Sequence, residues 1–308
     1  MTNTSTAGET ARDSARSLAG GRLCIVAASI LWSTSGLYAK HPTFLDWPIE
    51  SRGMLLAFWR ALFAGLLILP LARRPRWRVE LLPMVLCFAL MNATYLSSMT
   101  LTTAANAIWL QNTAPVWVFL AGILLLHERP TRGDLVLLLF GMLGVGTILC
   151  FELRDYLQAR SGTQMLGVSL GVLAGVFYGG VVLFMRLLRS ENAAWLVSLN
   201  LLATAAALAP YVFYLDIWPT PGQLVLLACF GLFQMGLPYV LFAHGLRHVS
   251  SQEAAGITLL EPVLVPVWLL AATSPEYPAP WTIAGGALIL LGLVVRYGRR
   301  AKSHGERG

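Results

Sequence analysis

The chain has 308 residues, 56% of them hydrophobic and only 12% charged, with a net charge of +7. Soluble domains carry about 25% charged residues, so this composition excludes an ordinary soluble protein and indicates one that lies in a membrane. The basic balance does not indicate nucleic-acid binding, because the Lys and Arg residues concentrate in alternate connectors between apolar segments.

Ten apolar segments follow one another along the chain. A membrane span takes about 20 mostly apolar residues, and the candidates cover roughly 23–39, 54–72, 81–101, 104–126, 134–150, 164–185, 194–215, 222–244, 252–273 and 281–297. Residues 1–22 are polar and rich in Ser and Thr, which predicts a disordered cytoplasmic tail before a first span that acts as an uncleaved anchor. Little chain remains between the spans, so no soluble catalytic domain fits and the chain is predicted not to be an enzyme.

The positions of the basic residues orient the spans. If the amino terminus is inside, 17 of the 22 Lys and Arg residues fall in cytoplasmic segments and four in outside segments. This bias is the positive-inside rule. It predicts a multi-pass protein of the plasma (inner) membrane with both termini cytoplasmic, the second of them a basic tail over 298–308. The four cysteines are scattered singly, so no disulfide framework, metal or other cofactor is predicted.

The two halves of the chain carry a weak internal repeat. Residues 104–118 (AANAIWLQNTAPVWV) align with 251–265 (SQEAAGITLLEPVLV), which pairs Pro115 with Pro262. Residues 28–40 align with 174–186 at nearly the same offset, which pairs Trp32 with Tyr178. A near-constant offset across several spans indicates duplication. The predicted repeats cover 23–150 and 164–297, joined by an extracytoplasmic connector over 151–163.

Each predicted repeat has five spans, an odd number, so the second repeat enters the membrane from the opposite side. The predicted fold is therefore an all-α membrane protein whose ten transmembrane helices form two five-helix inverted-topology repeats. Secondary transporters are built in this way, with a central site where the repeats meet. A monomer is sufficient for such a site, and a dimer is compatible with it.

Several motifs are typical of one family. They are Leu31-Trp32, FWRAL around Arg60, TAANAIWLQNTAPVWVFLAGILLLHERP (103–130) and GLPYVLFAHGLRHVSSQEAAGITLLEPVLVPVW (236–268). With them the chain resembles the EamA-type members of the drug/metabolite transporter superfamily over nearly its whole length. The resemblance implies export of amino acids, metabolites or drugs through a cavity built by spans 1, 3, 4, 6, 8 and 9. SPEYP (274–278) departs from the Gly-Glu-Arg usual there, and span 1 lacks the acid that small four-span relatives use for proton coupling.

Glu261 is the intramembrane acid of this sequence. A charged side chain near the bilayer centre costs about 2.5–3.5 kcal/mol, so Glu261 must face a cavity or a partner. Two interpretations stay open: a cavity acid that binds a substrate amine or a proton, or a structural acid bonded to a neighbouring helix. Arg60 in span 2 is expected to pair with an internal acid. His244 at the end of span 8 either titrates during transport or anchors the helix at the interface.

Polar and aromatic side chains within the spans form the predicted substrate cavity. An amide in hydrocarbon must find a partner, which is another helix or a watery cavity. Around aromatic rings, such groups suit a small polar or aromatic molecule. The predicted cavity residues are Trp32, Ser35, Tyr38, Asn92, Tyr95, Asn106, Trp109, Asn112, Tyr178, Gln234, Tyr239 and Glu261. The predicted hinges are the prolines of spans 4 and 9, namely Pro115, Pro262 and Pro266.

Other patterns leave alternatives. Gly167, Gly171, Gly175 and Gly179 recur every four residues and predict a ridge for close helix packing, although GVSLG (167–171) also matches a nucleophile elbow. His41 and Asp46 match the His-x4-Asp spacing of acyltransferases, so a membrane-embedded transferase is one alternative. A lipid scramblase or structural bundle is the other. The leading hypothesis is a secondary transporter that exports a small metabolite by alternating access, with a small-molecule substrate and the lipid bilayer as its partners.

Overall fold

The computed structural model describes residues 3–73, 75–126, 132–159, 162–188, 190–249, 251–272 and 275–305. Within these ranges the chain forms fourteen α-helices, with connectors and short turns between them and no strand. The helices are α1 (Asn3–Ser33), α2 (Ser35–Ala39), α3 (Ile49–Ile68), α4 (Leu81–Leu101), α5 (Ala104–Gln111), α6 (Ala114–Leu126), α7 (Arg132–Ala159), α8 (Gly162–Leu187), α9 (Ala193–Leu215), α10 (Pro221–Cys229), α11 (Leu237–Gly245), α12 (Ser251–Thr258), α13 (Leu260–Leu270) and α14 (Pro280–Gly305). A π-helical segment, Phe230–Gly236, joins α10 to α11.

Seven stretches of helix in the described part of the chain are long and apolar enough to cross a membrane. They are Arg16–Ala39, Ile49–Leu71, Leu81–Leu101, Leu135–Asp155, Gly162–Met185, Ala193–Leu215 and Pro221–Gly245. Gly256–Leu270 and Pro280–Val295 are apolar helices of shorter length. The chain is therefore a multi-pass integral membrane protein.

Three helices run beyond the boundaries that the sequence predicts. α1 begins at Asn3, so residues 3–22 are helical where a disordered tail is predicted. α7 runs to Ala159, into the predicted connector over 151–163, and α14 runs to Gly305, into the predicted basic tail. No proline interrupts any of the three extensions. A helix already nucleated by a span therefore continues at the low cost of propagation.

Two of the apolar segments are each interrupted just before a proline. α5 ends at Gln111, four residues before Pro115, and α12 ends at Thr258, four residues before Pro262. A proline has no N–H for the carbonyl four residues earlier, and its ring clashes with that carbonyl. The helix therefore stops at that residue and restarts just before the proline, in α6 and in α13. The two predicted hinge positions thus coincide with two breaks in the helical backbone.

Pro266 behaves differently, because α13 continues through it. Its missing N–H leaves the carbonyl of Pro262 without its usual partner within the helix. The indole Nε1 of Trp109 donates to that carbonyl at 2.9 Å. A side chain from α5 thus satisfies the backbone group that a proline in α13 releases.

The glycine ridge of α8 packs as the sequence predicts. A Cβ atom on Gly167 would lie 2.8 Å from the Thr102 nitrogen, and one on Gly175 would lie 2.5 Å from Thr113 Oγ1. Gly171 and Gly179 approach Ser98 and Trp117 in the same way. α8 therefore lies directly against α4, α5 and α6, at distances that only glycine permits.

Candidate functional site

A guanidinium group lies at the centre of the helix bundle. Arg60 of α3 is 2% exposed. Its Nη1 donates to Gln234 Oε1 at 3.2 Å, and its Nη2 donates to Asn92 Oδ1. Gln234 comes from the π-helical segment and Asn92 from α4, so the arginine joins three helices of the bundle. We call Arg60, Asn92 and Gln234 the arginine cluster.

The two amides of the arginine cluster are held in place by backbone carbonyls. Gln234 Nε2 donates to the Trp32 carbonyl at 3.1 Å, and Asn92 Nδ2 donates to the Phe88 carbonyl at 3.1 Å. Each amide therefore uses its N–H groups on backbone and turns its oxygen to the guanidinium. Both amide orientations are fixed by these bonds, since an amide flipped over would place two donors face to face.

Aromatic rings surround the arginine cluster. The Arg60 Cζ atom lies 5.1 Å from the centre of the Phe230 ring, within the range of a cation–π contact. Tyr38 stacks on the same Phe230 ring, with the two ring centroids 4.9 Å apart. Trp32 contacts Tyr239 and Phe242, each with ring centroids 5.3 Å away. Trp32, Tyr38 and Tyr239 are only partly buried, in contrast to the buried guanidinium.

Glu261 lies within electrostatic range of this group. It interacts electrostatically with Arg60, and both residues interact with the hydroxyl groups of Tyr95 and Tyr239. Within the described residues Glu261 makes no ion pair and no hydrogen bond. Tyr95 is buried, and its hydroxyl oxygen lies 3.1 Å from Ser35 Oγ. The carboxylate thus interacts with a cation and two tyrosines, but it has no hydrogen bond or ion pair among the described residues.

Two tryptophan side chains form hydrogen bonds that join α13 to the first half of the chain. Trp109 donates to the Pro262 carbonyl, one residue after Glu261. Trp268 Nε1 donates to Ser33 Oγ at 2.8 Å, at the end of α1. Together these bonds hold the segment that carries Glu261 against α1 and α5.

The structure brings together most but not all of the predicted cavity residues. Trp32, Ser35, Tyr38, Asn92, Tyr95, Gln234, Tyr239 and Glu261 lie in the arginine cluster or interact with its neighbours. Trp109 instead lies between α13 and α14, against Pro262 and Gly286. Asn112 instead donates to the carbonyl of Ile108, at the end of its own helix. Tyr178 on α8 is 38% exposed. His244 is exposed at the end of α11, where its ring lies 5.6 Å from that of His248.

Asn106 belongs to a different polar group. Its Nδ2 donates to Glu152 Oε1 at 3.0 Å, and Gln164 Nε2 donates to Glu152 Oε2 at 2.7 Å. Glu152 is buried and joins α5, α7 and α8 through these bonds. Sequence reasoning missed this acid because it placed residue 152 in a connector. An acid directly after an unbroken apolar segment was the available signal.

A separate cavity of about 400 Å³ lies between α6 and α8. Trp117, Leu120, Ala121, Val176, Gly179, Gly180 and Leu183 line it. None of these residues contributes a charge, and none belongs to the arginine cluster. The polar chemistry of the bundle therefore lies elsewhere than this cavity.

The arginine cluster places polar and charged side chains inside an apolar helix bundle. The site combines a buried cation held by neutral groups, an acid without a hydrogen bond or ion pair among the described residues, and aromatic rings.

The sequence profile of the EamA-like transporter family matches residues 19–150 and again residues 165–297. The chain belongs to this family. An uncharacterized transporter of Archaeoglobus fulgidus is 25% identical over 283 residues, which cover 90% of this chain and 96% of that protein.

A solved crystal structure shares the fold of this EamA-like transporter. It aligns with a TM-score of 0.60 at 19% sequence identity, over 90% of this chain and 97% of the other. At that level of identity the likeness concerns the fold alone. The family and the archaeal relative are both transporters, and transport is the function of the chain at this level of description.

The acyltransferase alternative finds no support at its two residues. His41 Nδ1 accepts from the Thr43 nitrogen at 3.3 Å, and so caps a short helical turn. Asp46 contacts Gln223 Nε2 at 3.3 Å. A carboxylate that orients a catalytic histidine must contact that histidine, and these two groups have other partners.

Sequence reasoning also missed two phenylalanines, Phe230 beside Arg60 and Phe242 beside Trp32. Phe230 and Phe242 lie in an apolar span, where nothing in the sequence distinguishes a phenylalanine that lines a site from one that faces lipid. The approach of Arg60 to Phe230 depends on the tertiary packing of α3 against the π-helical segment.

Proposed function

We propose that this EamA-like transporter is a secondary transporter that exports a small metabolite, such as an amino acid, an amine or a drug-like solute, by alternating access through a central cavity. The observation that carries the proposal is Glu261, an acid inside a membrane segment with no ion pair or hydrogen bond among the described residues. Intramembrane acids are costly and are kept where they bind a substrate or an ion. Glu261 is the proposed ligand of a substrate amine or a proton, and Arg60 is its opposite charge.

We propose ten spans arranged as two inverted repeats. The fourteen helices group as α1–α2, α3, α4, α5–α6, α7, α8, α9, α10–α11, α12–α13 and α14. The double match of the family profile supports two copies of one unit. So do the two breaks, since Pro115 and Pro262 occupy equivalent positions of spans 4 and 9.

The packing of the helices supports a two-fold relation between the repeats. Spans 1 and 8 pack together, as do spans 6 and 3, and exchange of the repeats turns each of these pairs into the other. The pairs 2 with 7, 4 with 9, and 5 with 10 are unchanged by the same exchange. A pseudo-two-fold axis in the membrane plane accounts for this pattern, and the arginine cluster lies where spans 1, 2, 3 and 8 meet.

The moving parts of the proposed cycle are spans 4 and 9. Their breaks before Pro115 and Pro262 allow the two short helices of each span to change their angle. Pro266 adds a released carbonyl that Trp109 holds in this state. The proposed orientation is that of the positive-inside rule, with both termini in the cytoplasm of a cell with an inner membrane.

Counterflow in proteoliposomes tests the proposal. Vesicles with wild-type protein are preloaded with members of a panel of amino acids and amines, and uptake of the same labelled solute is followed. The Glu261→Gln variant keeps the size of the side chain and removes its charge. We expect it to lose about tenfold or more of the exchange rate, the value of a hydrogen bond to a charged group. Glu80→Gln, the same change at an exposed connector residue, is the matched control.

The outcomes separate the hypotheses. Saturable exchange that Glu261→Gln loses while Glu80→Gln keeps it supports both the transporter and the role of the acid. Exchange that survives in Glu261→Gln leaves a transporter in which Glu261 is a structural residue. No saturable exchange with any solute, together with movement of labelled lipid between leaflets, favours a scramblase.

A further inference from the structure

A second charged group lies at one end of the bundle, outside the arginine cluster. Lys40 Nζ pairs with Glu276 Oε2 at 2.7 Å and donates to the Thr102 carbonyl at 2.6 Å. Glu276 Oε1 accepts from the Ala104 nitrogen at 2.6 Å. Three parts of the chain are therefore joined: the end of α2, the turn between α4 and α5, and the segment after α13. We call this end of the bundle the Lys40 end.

These contacts lie beyond the arginine cluster on the same elements. Lys40 follows Ser35 by about 7 Å of helical rise. Glu261 lies in α13, and Glu276 follows that helix in the chain. Just below the ion pair, a Cβ on Gly36 would lie 3.0 Å from Leu269 and 3.3 Å from Ala104. A solute that leaves the arginine cluster toward the Lys40 end thus meets a closed seam.

We propose that Lys40 and Glu276 form a latch that closes the Lys40 end of the transport path, and that the pair separates each time this end opens. The inference rests on the proposed function, because a path to be closed exists only in a transporter. It adds two residues to which that function assigned no role. The latch joins one proposed repeat to the other, which is the seam that must open in alternating access.

The chemistry of the latch permits repeated opening. The side chains of Lys40 and Glu276 are 26% and 20% exposed, so water can replace each partner when they part. The Thr102 carbonyl and the Ala104 N–H lie at helix ends, so water can replace Lys40 and Glu276 as their hydrogen-bond partners. A partly exposed ion pair is worth little net free energy. Such a pair keeps the Lys40 end closed, and separating it costs little free energy. Breaking the hydrogen bonds of the buried Arg60 would cost more.

The other end of the bundle offers a comparison. Arg22 pairs with Glu253 at 2.6 Å, and their side chains are 51% and 35% exposed. Arg22 precedes Lys40 by about 27 Å of helical rise, close to the thickness of a bilayer core. This pair also joins the two proposed repeats, but at the opposite face. Glu253 is therefore a matched control for Glu276.

Chemical labelling tests the latch without knowledge of the substrate. The four native cysteines are replaced, and Ser35→Cys, a buried position beside the arginine cluster, serves as reporter in full-length protein in oriented membrane vesicles. A charged, membrane-impermeant methanethiosulfonate is added at the Lys40 face. We expect Glu276→Gln to raise the labelling rate about two- to fivefold, the range that partly exposed ion pairs are worth. Lys40→Met, which leaves the acceptor for Ala104 in place, should do the same, and Glu253→Gln should not.

The labelling rates distinguish failure of the latch from failure of the proposed transport path. Labelling that Glu276→Gln and Lys40→Met both leave at the wild-type rate overturns the latch and leaves the path intact. An equal increase with Glu253→Gln also overturns it, because the effect would then be general loosening. A reporter that is never labelled from either face, in any variant, argues against a central path and therefore against the proposed function itself.

Discussion

Arg60 is held by groups that carry no charge. Its two hydrogen-bonded partners are amides, and the aromatic ring of Phe230 adds a quadrupole rather than an anion. A buried arginine paired with a carboxylate is neutralised, whereas one paired with amides keeps its full charge. The field of Arg60 therefore extends to Glu261 and to the hydroxyl groups of Tyr95 and Tyr239. Because the amides of Asn92 and Gln234 leave the charge of Arg60 uncompensated, their arrangement favours a binding role for Arg60 over a structural ion pair.

Gln234 is the amide whose loss should cost most stability. Its oxygen accepts from Arg60 and its nitrogen donates to the Trp32 carbonyl, so Gln234→Leu leaves a buried charge and a buried carbonyl each short of a partner. We expect a loss of about 1–3 kcal/mol in the free energy of unfolding, or a melting temperature lower by several degrees in detergent. Gln111→Leu is the control, since the Gln111 side chain makes no hydrogen bond to another described residue. Equal melting temperatures for the two variants would contradict this account.

The broken spans show how far sequence determines an element. Proline chemistry predicts where α5 and α12 stop, four residues before Pro115 and Pro262, and the structure has both breaks at those places. It does not predict that Trp109 satisfies the carbonyl released by Pro266, because that bond depends on how α5 packs against α13. The helix extensions over residues 3–22 in α1 and 151–159 in α7 depend on contacts or on the absence of a helix-breaking residue, and hydropathy reports neither.

The glycine ridge of α8 gives a prediction at the level of packing. Gly175→Leu would place a side chain where Thr113 Oγ1 and the Leu110 carbonyl already lie 2.5 and 2.6 Å from the new Cβ. Overpacking of this kind costs about 1–3 kcal/mol or more, and backbone on the other side cannot move aside. We expect loss of monodisperse protein in size-exclusion chromatography. Gly146→Leu is the matched control, because a Cβ at Gly146 meets nothing within 4 Å. A monodisperse Gly175→Leu variant would refute the ridge.

At the scale of the whole molecule, the sequence was enough for the family, for the helical class and for naming the residues that the structure brings to the arginine cluster. Arg60, Asn92, Gln234 and Glu261 stand out because polar groups inside apolar spans need partners. The sequence was not enough to separate Asn106 from these four residues, because the same rule applies to any buried amide. Only the structure shows that Asn106 pairs with Glu152. The location of the Lys40–Glu276 pair likewise required the three-dimensional fold, since the residues are far apart in the chain.

The inverted relation of the two proposed repeats has a direct consequence for the loops. The loop after α2 and the loop after α8 follow the first span of each repeat, so they are equivalent by repeat. Five spans separate them, and an odd number places them on opposite faces of the membrane. Leu45 is 64% exposed in the first loop, and Ser190 is exposed in the second. Both positions are therefore open to a thiol reagent once they carry a cysteine.

We expect Leu45→Cys, in a background without Cys24, Cys87, Cys150 and Cys229, to react with an impermeant maleimide in intact cells. Ser190→Cys should react only after the membrane is made permeable, because the positive-inside rule assigns its loop to the cytoplasm. Leu45→Cys in permeabilised cells and Ser190→Cys in denatured protein control for intrinsic reactivity. If both positions react from the same face of intact membranes, an even number of spans separates them, and the two halves then cannot be inverted copies. If each reacts from its own face, two homologous halves inserted in opposite senses meet at Arg60 and Glu261, as alternating access requires.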